Sequence, residues 1–288
     1  MLVRRRGEDV GRVRALGAHE RADALALCGR DPVGSVLAAV QAERLGDTPI
    51  LGTELLGVFR DGALRALCWT GANLVPVGLT DPADVVDVAA HLRARGRRCS
   101  SIVGPADQVL ALWQRLEPAW SRPREIRADQ PSMAISQDPA VQPDPRVRLG
   151  RLDELDLIIP ACVAMFTEEV GYSPVSSGGA YEARVHELVA TGRSYVRIDE
   201  GRRGPRVVFK AEVGALAQGV AQVQGVWVHP SLRGKGLAAA GMAAVVADAR
   251  ARLAPTVSLY VNDFNAPALA TYRRTGFAQV GTYATVLF

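Results

Sequence analysis

The chain has 288 residues, 48% of them apolar, and a formal net charge of +4. That length suits two domains of about 100–200 residues each. The charge is mild and aromatics make up only 6%, so anionic small ligands are favoured and nucleic acid is an unlikely partner. Cys28, Cys68, Cys99 and Cys162 fall at no metal-ligand spacing, which predicts no metal and no disulfide framework. No apolar run is long enough to predict a membrane span. The basic start lacks an apolar core, so no signal peptide is predicted. The expectation is a cytoplasmic protein without a membrane partner.

In the first half, Ala22 to Gly29 and Val33 to Leu45 are predicted helices. Leu55 to Phe59, Ala63 to Trp69 and Ala72 to Val77 are predicted strands. Helix Asp84 to Arg95, strand Ser100 to Val103 and helix Asp107 to Leu116 follow. Residues 136–145 carry Pro139, Pro143 and Pro145 without apolar periodicity, which predicts an extended linker. Residues 1–135 and 146–288 are then the two domains.

The second half opens with an amphipathic helix, Asp153 to Glu169, expected to break at Pro160, and a second helix, Tyr181 to Thr191. Between them, residues 171–179 read as a flexible lid or a simple connection. Ser194 to Ile198, Arg206 to Val213 and Val220 to Val228 are predicted strands. Helix Gly236 to Arg252, buried strand Val257 to Val261 and helix Asn265 to Thr275 follow. Pro267 lies in the first turn of that last helix and Gly276 just past its end. Ala278 to Leu287 closes the chain as one or two strands. Both halves read ααβββαβα, an internal duplication.

The halves differ at one turn. The second has Arg233-Gly234-Lys235-Gly236-Leu237-Ala238 between a strand and a helix. That order presents backbone N–H groups and a positive helix end to a phosphorylated ligand. At the same place the first half has Gly78 to Asp84, with two acids and no closely spaced glycines. A dinucleotide fingerprint needs a third glycine, and a P-loop needs Ser or Thr after Gly-Lys; here Gly236 follows Lys235.

The turn resembles the pyrophosphate loop of the GNAT superfamily of N-acetyltransferases, Gln/Arg-x-x-Gly-x-Gly/Ala. The run Val226-Trp227-Val228-His229-Pro230 before it, and Asn265, Ala268, Tyr272 and Gly276-Phe277 after it, match that family's spacing. The resemblance covers roughly residues 146 to 288. More loosely, the whole chain looks like an actinobacterial tandem type with a degenerate GNAT-like first domain. It implies an α/β (α+β) fold of two GNAT-like domains, each a mixed, mostly antiparallel sheet flanked by helices. It also implies an acetyl-CoA-dependent transfer of acetyl to a primary amine, by direct attack in a ternary complex.

On that resemblance, the amides of Gly234, Gly236, Leu237 and Ala238 take the pyrophosphate of acetyl-CoA. Arg233 and Lys235 add charge. The pantetheine arm lies along Val226 to Val228, where a backbone N–H polarises the acetyl carbonyl. Trp227 points away from Val226 and Val228, into either the core or the amine site. Asn265 is a helix cap, a cofactor contact or both, and Asn262 is a weaker candidate contact. Tyr272 is the expected general acid.

The family's usual base is a glutamate on the fourth strand, where this chain has Gln222 and Gln224. Glu212 on the neighbouring strand is the candidate base, with Glu168 and Glu169 as alternatives near the amine mouth. His186 and His229 rank lower, and His229 is expected to shape the loop. Cys162 has no adjacent histidine to activate it. The amine acceptor is a small molecule, peptide or protein, and a homodimer is an open possibility. The missing strand carboxylate keeps a second reading open, a non-catalytic acetyl-CoA sensor or scaffold.

Overall fold

The computed structural model describes residues 12–47, 52–174, 179–201 and 204–288. It divides into two compact units, Met1–Pro131 with Gly281–Phe288, and Ser132–Val280.

The first unit runs β1 (Val13–Ala15), α1 (Arg21–Cys28), α2 (Pro32–Glu43), β2 (Glu54–Arg60), β3 (Ala63–Thr70), β4 (Asn73–Val77), α3 (Pro82–Arg95), β5 (Ser101–Pro105), α4 (Ala106–Leu116) and β6 (Glu125–Ile135). Its strands lie in the order β1-β2-β3-β4-β5, closed by residues 283–287. Among its described residues only β4 and β5 pair parallel. Asp31 and Asp81 cap α2 and α3, each followed by proline in the first helical turn, a local start signal of the expected kind. Leu56, Ala66, Val88, Ile102 and Leu112 are buried in its core.

The second unit repeats the pattern: β7 (Arg148–Leu149), α5 (Leu155–Val170), α6 (Ala180–Ala190), β8 (Ser194–Gly201), β9 (Gly204–Ala217), β10 (Val220–Val228), α7 (Leu237–Arg252), β11 (Thr256–Tyr260), α8 (Ala266–Thr275) and β12 (Ala278–Leu287). The order is β7-β8-β9-β10-β11, with residues 132–135 of β6 antiparallel to β11. Again one pair, β10 with β11, is parallel. Phe209, Val213, Val223, Met242, Val246 and Leu259 form the core under α7. A separate cluster of Ala161, Met165, Val207 and Trp227 lies under α5. Among the described residues no helix is long and apolar enough to cross a membrane.

Two sequence expectations change here. Helix α5 is continuous through Pro160. The proline sits in the second turn, so it removes one hydrogen bond to a first-turn carbonyl, which water can satisfy. Of the one or two closing strands expected, the structure has one. The Pro-rich segment 136–145 is packed structure of the second unit rather than a free linker. Ala140 N donates to Thr275 O (2.8 Å) and Asp144 N to Ala240 O (2.9 Å). The buried Asp144 carboxylate accepts from Arg197 Nη1 at 2.7 Å. The compact units accordingly divide at Pro131 and Gly281, not at residues 135 and 146.

Candidate active site

The site is built where β10 parts from β11. Their parallel register covers Val220–Gln222 against Thr256–Ser258, and β10 then runs on to Val228. On its other side β10 stays paired with β9, but the register shifts between Gln224 and Trp227. One extra residue on β10 makes a bulge at Gly225, whose φ is +59°. A bulge aims the local backbone away from the sheet, and glycine supplies the left-handed conformation without steric cost. Val226 and Val228 pack toward the core that holds Tyr272. Trp227 packs on the opposite face with Ala161 and Met165 of α5, as alternation along a strand requires.

After β10 the chain makes a short 3-10 turn, Pro230–Leu232. His229 caps it, its Nδ1 accepting from Ser231 N at 3.3 Å. Burial and the nearby Arg206 and Arg233 lower the His229 pKa, which keeps the ring neutral to fill that role. Gly234 and Gly236 follow at φ +75° and +76°, and a Cβ on either would meet nothing within 4 Å. Gly236 is the N-cap of α7, and no side chain caps the helix. The first amides of a helix have no partner within it. Here no side chain caps them, and the first turn carries no acid. Lys235 is exposed beside them.

Tyr272 on α8 is buried, its ring edge-on to Phe277 at 5.9 Å. Burial, with the charge of Glu169 adding to it, pushes its phenol far above the ordinary tyrosine value, so it stays protonated. Asn265 caps α8, Oδ1 accepting from Ala268 N at 3.2 Å. Asn262 lies half-buried just past β11.

Residues 173–277 match the model of the acetyltransferase (GNAT) family. The second unit is a GNAT acetyltransferase-family domain. Residues 53–158 match a separate family described only as a domain of unknown function, DUF4081, in keeping with a divergent first GNAT-like domain. Solved structures share the fold over nearly the whole chain. A GNAT-family acetyltransferase from Colwellia psychrerythraea is 11% identical, with coverage of 96% of this chain and 99% of that one and a TM-score of 0.54. A tandem GNAT protein from the clavulanic acid biosynthesis pathway is 12% identical, covering 96% and 98%, TM-score 0.53. A GCN5-related N-acetyltransferase from Sphaerobacter thermophilus is 19% identical, covering 95% and 93%, TM-score 0.54. No curated protein matches the sequence. Acetyl transfer from acetyl-CoA is the general reaction of GNAT domains.

The GNAT domain's acids divide by their partners. Glu168, on α5, accepts from Trp227 Nε1 at 3.2 Å and from Arg233 Nη2 at 2.5 Å. Arg233 also donates from Nε to Val228 O at 3.0 Å. Glu168 is therefore a clamp between α5, β10 and the loop, and Arg233 is held by protein groups. Glu212 lies opposite Gln224 and accepts from Lys210 Nζ at 2.9 Å. Gln224 Nε2 donates to Gln222 Oε1 at 3.2 Å. Cys162 is buried, and burial pushes its thiol up despite the nearby Lys210, which suits no nucleophile. His186 is exposed on α6. Tyr172 packs edge-on to Phe166, and residues 175–178 of the expected lid lie outside the described residues. Among the described residues no group of three or more His, Cys, Asp or Glu could hold a metal.

Two residues of the site escaped the sequence reading. Lys210 stands two positions before Glu212, so strand alternation alone puts both on one face. Gly225 interrupts an apolar strand, a recognised sign of a bulge.

Proposed function

We propose that this chain is an N-acetyltransferase that moves the acetyl group of acetyl-CoA to a primary amine by direct attack in a ternary complex. One observation carries this reading. An uncapped helix α7, entered through the left-handed Gly234 and Gly236, adjoins a strand freed from its neighbour beyond Gln222. The open amides suit a diphosphate, and the freed edge of Val226 to Val228 suits an extended pantetheine amide chain. Lys235 is the exposed charge for a phosphate, while Arg233 serves through its clamp with Glu168. Leu237 and Ala238 begin α7 and contribute amides. Asn265 acts first as the α8 cap, and Asn262 remains a candidate contact.

The amine nitrogen attacks the acetyl carbon, and a β10 amide near the bulge stabilises the oxygen as it gains charge. As the C–S bond breaks, the Tyr272 phenol gives its proton to the leaving thiolate. Glu212 takes the proton that the nitrogen loses, so the two transfers balance. The acceptor is a small molecule, peptide or protein bearing a primary amine.

The test is thiol release from acetyl-CoA across a panel of amines and peptides, with wild type and Tyr272→Phe in parallel. Amine-dependent release is expected, with kcat about 100-fold lower in the variant and acetyl-CoA affinity retained. Equal turnover removes Tyr272 from the chemistry. Acetyl-CoA binding with no turnover on any amine makes the protein a binding module instead.

A further inference from the structure

Of the chain's 34 lysines and arginines, only Lys210 and Lys235 are lysines. Lys235 stands in the turn before α7. Lys210 is completely buried in the middle of β9. Its ammonium donates to Glu212 Oε2 at 2.9 Å and meets the Cys162 thiol of α5. Side-chain exposure is 0% for Lys210 and 15% for Glu212, so the pair reaches solvent only through its carboxylate. Both groups lie directly against the β10 bulge. A Cβ on Gly225 would fall 3.0 Å from Lys210 Nζ and 3.1 Å from Glu212 Cδ. A compact, three-donor ammonium fits that space, where a planar guanidinium fork would need more room.

We propose that Lys210 is a positioning residue for acetyl transfer, holding Glu212 Oε2 from behind so that the carboxylate faces the amine attacking beside Gly225. The inference rests on the reading of Glu212 as proton acceptor. A buried ion pair is weak support for stability by itself. Its location under the Gly225 bulge, where β10 parts from β11, gives it a functional setting. Burial disfavours the ammonium, but the adjacent carboxylate outweighs this and Lys210 stays charged. During the reaction the N–C bond forms and the C–S bond breaks. The nitrogen's proton goes to Glu212, the thiolate takes the Tyr272 proton, and Lys210 keeps its own throughout. The other groups facing Glu212 are Cys162 from α5 and Tyr181 from α6, both of which burial holds protonated. Across the strands lie the uncharged Gln224 of β10 and Ser194 of β8.

The experiment uses the full chain and an amine identified by the thiol-release panel. Lys210→Met, Glu212→Gln and the double variant are compared by acetyl-CoA calorimetry and by kcat and KM. Lys210→Met is expected to keep acetyl-CoA affinity while losing at least about tenfold in kcat/KM, because the carboxylate is no longer held in line. The loss falls on kcat rather than on the KM for acetyl-CoA, since the alignment of the carboxylate matters only as the nitrogen gives up its proton. The double variant is expected to be no worse than Glu212→Gln, because a positioning residue has nothing left to position. This second comparison stands even where Lys210→Met alone fails to fold, as the double variant buries no unpaired charge. An unchanged kcat/KM in Lys210→Met, or a further loss in the double variant, overturns the role while leaving the enzyme intact. A wild type that binds acetyl-CoA and acetylates nothing overturns the enzymatic reading and this role together.

Discussion

The two strand-turn-helix corners, β4 to α3 in the first unit and β10 to α7 in the second, occupy the same step of a repeated order and are finished in opposite ways. In the first, Leu79 N donates to Gln108 Oε1 at 3.0 Å and Thr80 N to Gly78 O at 2.9 Å. Asp81 Oδ1 accepts from Ala83 N at 2.8 Å, and Pro82 has no N–H to offer. The buried Asp84 then sets a carboxylate in the first turn, paired with Arg60 Nε at 2.6 Å. In the second, no side chain caps Gly236 and no acid sits in the first turn. One corner satisfies its own donors and carries negative charge. The other leaves donors open beside Lys235. The same backbone plan thus yields one helix end closed to anions and one suited to them, and the difference lies in about six side chains.

The comparison can be pressed first through the brace under the open corner. Asp144 hands its N–H to Ala240 on α7 and its carboxylate to Arg197. Asp144→Ala should cost about 2 kcal/mol in urea unfolding, since it removes one of the two carboxylates on the buried Arg197 guanidinium while Asp199 keeps the other. Burial opposes the Asp144 charge, but the Arg146 N–H and the Arg197 guanidinium prevail and hold its pKa below the usual range. That contribution is therefore present above the unfolded value of about 3.9 and lost as pH falls through the lower folded value. The gap between wild type and variant should close below about pH 4. A variant of wild-type stability at pH 7 would return segment 136–145 to a mere connection.

A smaller effect is expected at the closed corner. Asp81→Ala removes an exposed cap and should cost about 1 kcal/mol. It should create no second acetyl-CoA site, because Leu79 N and Thr80 N stay engaged and Asp84 keeps its charge. Two acetyl-CoA molecules per chain in calorimetry of this variant would mean that the cap alone had excluded the ligand.

The open corner was legible in the sequence because it is local. Glycines two apart, a preceding apolar strand and a following small-residue helix are all contained within about 25 positions, and the same holds for the Asn265 cap and the Tyr272 helix. What stayed hidden depends on distant partners. Strand β6 was not read at all, since Pro131 interrupts it and its residues 132–135 find their partner in β11, far along the chain. Asp144 finds Arg197 and Glu168 finds Arg233 more than fifty positions along the chain, so one looked like linker and the other like a free acid. The Lys210–Glu212 pair is local, yet only burial distinguishes it from a surface ion pair.

The central claim is that open main-chain donors at Gly236 bind the diphosphate of acetyl-CoA. Calorimetry of the full chain with acetyl-CoA tests it most directly, wild type against Gly236→Glu. One molecule bound per wild-type chain, and no detectable binding once a carboxylate and a strained left-handed residue occupy position 236, is the expected result. Undiminished affinity in the variant would contradict the assignment of the site to this corner.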